Sequence, residues 1–99
     1  MKTKGVELTY NFEFSYDENS EHFKKTLKSY RKLINKKASI DHMLHYVAKC
    51  LVLDGIDEMI EGVGYVSKVG QKPQHEPFSG IWLSHCEEDY TFISDDLPF

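Results

Sequence analysis

From Val6 to Tyr16 the chain alternates without a fault. Val6, Leu8, Tyr10, Phe12, Phe14 and Tyr16 fall on one face, and Glu7, Thr9, Asn11, Glu13 and Ser15 on the other. A period of two predicts a long strand with one buried face. Asp17-Glu18-Asn19-Ser20 supplies turn formers and N-cap candidates, and Glu21 suits the positive end of a helix dipole. Phe23, Leu27, Tyr30, Leu33 and Ile34 then recur at steps of three and four, which predicts an amphipathic helix. Ser39 is a second N-cap candidate. It precedes Ile40, Met43, Leu44, Val47, Ala48 and Leu51 at helical spacing, and Gly55 fits the C-terminal cap. Ile56 to Glu61 predicts a short third helix or an extension of the second, broken by Gly62 and Gly64. A short strand is expected between Val63 and Val69, and Gly70 to Pro77 is a loop. Ser79 to His85 and Tyr90 to Ser94 then read as the arms of a hairpin turning at Cys86 to Asp89. The predicted fold class is α+β. A small antiparallel sheet, the long N-terminal strand plus the C-terminal hairpin, packs against two or three helices. Residues 1–94 form one domain and 95–99 an exposed acidic tail.

A chain of 99 residues has room for one core, and six Phe, six Tyr and one Trp provide large units of apolar area for it. No apolar run approaches the roughly 20 residues that span a bilayer. The first residues lead into no signal-peptide core, so the expectation is a cytoplasmic chain without a membrane partner. Cys50 and Cys86 stand 36 positions apart with no C-x-x-C, which indicates neither a disulfide framework nor a zinc finger. Nothing in the sequence sets the oligomeric state.

The net charge of −4 hides a division along the chain. The first 85 residues hold all 12 Lys and Arg against 11 acids, whereas the last 14 carry Glu87, Glu88, Asp89, Asp95 and Asp96 and no cation. Lys24, Lys25, Lys28, Arg31, Lys32, Lys36 and Lys37 lie within fourteen consecutive residues that contain no acid. Such a cluster is a candidate anion-binding face.

The chain ends Phe92-Ile93-Ser94-Asp95-Asp96-Leu97-Pro98-Phe99. This stretch resembles the C-terminal tip of the bacterial single-stranded DNA-binding protein family, where acids precede Ile or Leu, then Pro, then a final Phe. The resemblance implies that Phe99 enters an apolar pocket while its carboxylate meets a basic residue. It further implies that Pro98 and Leu97 complete the anchor and that Asp96 and Asp95 lie along a basic rim. The expected partners are host DNA repair, recombination or replication proteins that recognise such tails. An aromatic anchor beside a free carboxylate combines a buried hot spot with a charge-assisted hydrogen bond. The resemblance covers the last five to eight residues and names a partner surface, not a fold.

Single-stranded DNA is therefore argued from the basic helix alone. Its cations would track phosphates, with Tyr30 and Phe23 near enough to stack a base. Both aromatics also fall on the apolar stripe, where a core role competes with stacking.

His42, His45, His85 and Cys86 are the only metal-like set, and their spacing matches no ligand pattern. Asp57, Glu58 and Glu61 read as a solvated face, and Gly62-Val63-Gly64 lacks the rest of a phosphate loop. No cofactor and no catalytic residue is expected. The resulting expectation is a non-enzymatic accessory protein of DNA metabolism, of a kind a phage or mobile element carries. The alternative is an inhibitor of a host defence or replication enzyme acting through its folded surface.

Overall fold

The structure, a computed structural model, describes residues 1–94. Its elements are β1 (Gly5–Tyr16), α1 (Glu21–Leu33), α2 (Ile40–Asp54), β2 (Tyr65–Lys68) and β3 (Phe78–Ser94). The α+β class holds, with two helices and a three-stranded sheet in the order β1-β3-β2.

The helices begin where the sequence places their caps. Ser20 Oγ accepts the Phe23 N–H at 3.1 Å, and Ser39 Oγ accepts the His42 N–H at 3.2 Å. His42 Nδ1 in turn accepts the Ser39 N–H at 3.2 Å, closing a capping box with histidine in the place usually held by Glu. Gly55, at φ +96°, ends α2 as its C-terminal cap.

Three local expectations are corrected. The C-terminal hairpin is instead one 17-residue strand, β3, which runs through Cys86 to Asp89. Those four residues pair with Phe12, Asn11, Tyr10 and Thr9, so a strand as long as β1 is matched by one continuous partner. They include no Gly, Pro or Asn to supply turn geometry, and ladder pairing outweighs the weak strand preference of Glu and Asp. The sheet is also mixed, because β2 lies parallel to β3. With β2 only four residues long, the loop over residues 69–77 is enough to return the chain. The third helix is absent. Ile60 and Gly64 exchange backbone hydrogen bonds at 2.9 and 2.8 Å, and this tight turn buries Ile60 and Val63.

The helices cover one face of the sheet. Phe23 and Tyr30 of α1, Met43, Val47 and Leu51 of α2, Val66 of β2 and Ile81 and Leu83 of β3 are buried together. Tyr16 stacks on Phe23 at 4.7 Å between ring centres. Leu33 and Ile34, expected on the buried stripe, are exposed at the end of α1. A polar knot docks α1. Thr26 Oγ1 donates to the Ser79 carbonyl at 2.7 Å, and Ser79 Oγ donates to the Tyr65 carbonyl at 2.7 Å. Ser79 Oγ also accepts the Ile81 N–H at 3.1 Å, so the two buried hydroxyls are satisfied. Replacing Thr26 with valine removes one donor while keeping the shape. The buried Ser79 carbonyl loses that donor, and a loss of about 1–3 kcal/mol in urea unfolding is expected.

The molecule measures 54 × 31 × 19 Å, and its radius of gyration of 16.7 Å exceeds the ~13 Å typical of a compact chain of this length. The long axis belongs to β3, whose 17 residues span about 55 Å at ~3.3 Å each. Beyond Leu83, where the ladder with β2 ends, β3 is paired with β1 alone. The distal half of the sheet is thus a two-stranded ribbon.

Candidate binding surfaces

The basic helix takes its form from helical periodicity. Lys24, Lys25, Lys28, Arg31 and Lys32 occupy the arc of α1 opposite Phe23, Thr26 and Tyr30, and all five are exposed. Among the described residues no acid pairs with the four lysines. Lys36 and Lys37 continue the positive field in the turn after α1, where the Lys37 N–H donates to Asn35 Oδ1 at 3.1 Å.

Two members of the expected nucleic-acid set also have structural contacts, and for Tyr30 these exclude the expected role. Tyr30 is buried, with its ring 5.1 Å from that of Tyr46, and cannot stack a base. Arg31 Nε donates to the Ala38 carbonyl at 2.9 Å and ties the interhelical turn to α1. Phe23 is 1% exposed and belongs to the core. The surface that remains is a row of lysines without an aromatic platform.

The tail residues Asp95, Asp96, Leu97, Pro98 and Phe99 lie outside the described residues. The strand leading to them is defined, because Gly5 pairs with Ser94 at the end of the ribbon. Glu87, Glu88 and Asp89 belong to this strand, so most of the acids in the last 14 residues are part of the sheet.

The ribbon has two unlike faces. Glu7, Thr9, Asn11 and Glu13 share one with Thr91, Asp89, Glu87 and His85. His85 Nε2 approaches Glu87 Oε2 at 3.4 Å there. The other face carries Val6, Leu8 and Tyr10 opposite Phe92, Tyr90 and Glu88. The sequence predicts this stripe as buried, yet Val6 is 50% exposed, Leu8 55%, Tyr90 65% and Phe92 55%. Of the β1 side chains on this face, Phe12, Phe14 and Tyr16 pack against the core under the helices. The unbroken period-two run Cys86, Glu88, Tyr90, Phe92 was the available signal for this ribbon, and the acids masked it.

The remaining chemistry-bearing side chains are dispersed. His42 caps α2, His45 borders the space between α2 and Tyr10, and His85 faces away from Cys86. Burial raises the Cys50 thiol above its usual range, so it stays protonated and weakly nucleophilic near neutrality. Tyr46 donates to the Glu61 carbonyl at 2.9 Å. Burial, reinforced by neighbouring Cys50, pushes its phenol up to about 12. A phenol that is harder to ionise in the folded state stabilises the fold below pH ~10, and that contribution is lost as pH rises through about 12. Ultraviolet titration should therefore show a phenol ionising near pH 12, and Tyr46→Phe should remove that step.

In comparisons with protein-family models, curated proteins and solved structures, nothing matches this chain.

Proposed function

We propose that this chain is a non-enzymatic accessory protein of DNA metabolism, phage or mobile-element encoded, that engages host genome-maintenance proteins through residues 95–99. The observation that carries this reading is the path of β3. It stays paired with β1 up to Ser94, so the tail motif begins where the ribbon ends, away from the helices. Five residues at about 3.4 Å each reach some 17 Å, and a partner holding the tail would therefore also meet the ribbon. In this reading Phe99 presents its ring and α-carboxylate together, Leu97 and Pro98 complete the anchor, and Asp95 and Asp96 meet basic residues. Capture of a tail-binding bacterial repair or replication protein by the full chain, and its loss on deleting the last four residues, tests the proposal.

Contact with single-stranded DNA is supported by the lysine arc of α1. Four phosphate contacts by Lys24, Lys25, Lys28 and Lys32 give a slope of log affinity against log salt near −3, at about −0.7 per contact. Lys24, Lys28 and Lys32 changed together to Glu should abolish binding to oligo-dT. A wild-type chain that leaves the oligonucleotide unshifted at low salt removes DNA from the proposal.

A second reading, inhibition of a host defence or replication enzyme by the folded surface, is favoured by the ribbon's polar face. Glu7, Glu13, Glu87 and Asp89 share it with His85, its one basic side chain among the described residues. Inhibition that survives deletion of the last four residues selects this reading.

A further inference from the structure

A two-stranded ribbon is marginal in water unless its apolar face is covered. Here the sheet face that forms the core under the helices continues past them for two more turns of the pleat. Val6, Leu8, Tyr10, Tyr90 and Phe92 stand on it in one contiguous stripe. The rings within it are ordered on one another. Tyr90 and Phe92 meet edge-on at 5.7 Å, and Tyr10 stacks on Phe12 at 6.2 Å. At the body end the stripe runs into a groove of about 280 Å³ between the ribbon and α2, lined by Tyr10, Phe12, Ala48, Val52 and Leu53. Val52 and Leu53 are themselves exposed, at 42% and 74%.

We infer that the occupant of this face is a second copy of the chain, packed ribbon on ribbon about a two-fold axis near Leu8 and Tyr90. The stripe is self-complementary. Its outer end offers Phe92, half exposed with Val6 beside it and Lys4 Nζ over its ring, and its inner end offers the apolar groove. Knob and groove lie on one face about 13 Å apart, four residues at ~3.3 Å. A two-fold axis midway between them seats each copy's Phe92 in the other's groove, the reciprocity that an isologous interface requires. The side chains are of the right extent. Half-exposed aromatics of 150–250 Å² each, with the aliphatic residues around them, leave several hundred Å² per copy, on the order of the ~800 Å² of a standard interface. Among the described residues, charge on the stripe is confined to Glu88, which stands in the row across from Tyr10, to Lys49 on the rim of the groove, and to Lys4, whose Nζ lies 5.1 Å from the centre of the Phe92 ring. Packing at the usual ~10 Å between sheets covers the stripes and leaves both polar faces, with their acids, in water. The lysine arc of α1 takes no part.

The test compares neighbouring positions on opposite faces of one strand. Leu8 and Thr9 are adjacent in β1, Leu8 on the stripe and Thr9 on the polar face across from Asp89. Sedimentation equilibrium of the full chain should give twice the 11.5 kDa chain mass. Leu8→Lys and Tyr90→Lys should each give a folded monomer, with the circular dichroism of the wild type at equal concentration, while Thr9→Lys stays dimeric. An added lysine opposes edge-to-edge strand pairing from either face, so equal effects at Leu8 and Thr9 mean edge association and overturn the inference. Because interfaces of this size bind at micromolar or tighter, a wild-type monomer at roughly 100 μM overturns it. A dimer that survives both Leu8→Lys and Tyr90→Lys, or an assembly larger than two, overturns it as well. None of these outcomes depends on the tail, whose deletion should leave the dimer intact.

Discussion

Gly80→Ala should lower stability by at least about 3 kcal/mol, a large part of the roughly 5–15 kcal/mol available to a domain of this size. Gly80 sits in β3 at φ +79°, where L residues pay about 1–2 kcal/mol. The larger effect is steric. A Cβ at this position would stand 2.8 Å from the Phe23 backbone nitrogen and 3.1 Å from its Cα. Phe23 lies in the first turn of α1 and is buried, and its N–H is the one capped by Ser20, so that turn cannot give way alone. Relief lifts α1 from the sheet and stretches the Thr26 hydroxyl bond to Ser79. Gly70→Ala is the control, since Gly70 has φ +86° but nothing within 4 Å of the added carbon. Urea unfolding followed by circular dichroism should show a small loss for Gly70→Ala and a much larger one for Gly80→Ala. Equal losses would mean that the close approach of α1 to β3 contributes nothing beyond backbone strain.

Phe99→Ala should weaken binding to a tail-recognising partner by about 30-fold or more. That factor corresponds to the ~2 kcal/mol at which a buried aromatic anchor counts as a hot spot. The partner's pocket is left wet and its basic residue loses the group that orients the carboxylate. One residue added after Phe99 should cost nearly as much, because it separates the carboxylate from the ring it accompanies. Asp95→Asn and Asp96→Asn should matter less, and chiefly at low salt, since rim charges act through a screened field. A synthetic peptide of residues 92–99 should displace the whole protein. If Phe99→Ala and the peptide both leave binding unchanged, the tail reading fails, and inhibition through the folded surface becomes the reading to pursue.

The sequence by itself determined whatever depends on neighbours a few residues apart. Alternation over Val6 to Tyr16 defined β1, because a pleated strand sends successive side chains to opposite faces. Ser20, Ser39 and Gly55 marked helix ends, because unpaired backbone groups there need a hydroxyl partner or a positive φ. The lysine arc followed from the 100° step of a helix, and the tail motif is legible as a string. Tertiary structure decided what depends on distant pairing. Glu87-Glu88-Asp89 looks like a turn until Thr9, Tyr10 and Asn11 are laid beside it, and then it is the middle of a strand. Tyr30 is equally consistent with a base platform and with core until Tyr46 closes over it. Arg31 belongs to the arc by its spacing, and only the fold shows that its Nε–H also ties down the Ala38 carbonyl. The exposure of Val6, Leu8, Tyr90 and Phe92 could not be read from alternation, which predicts an apolar face without saying whether anything covers it. In this fold the helices end too early to do so, and the length of a covering layer is set by where other elements pack.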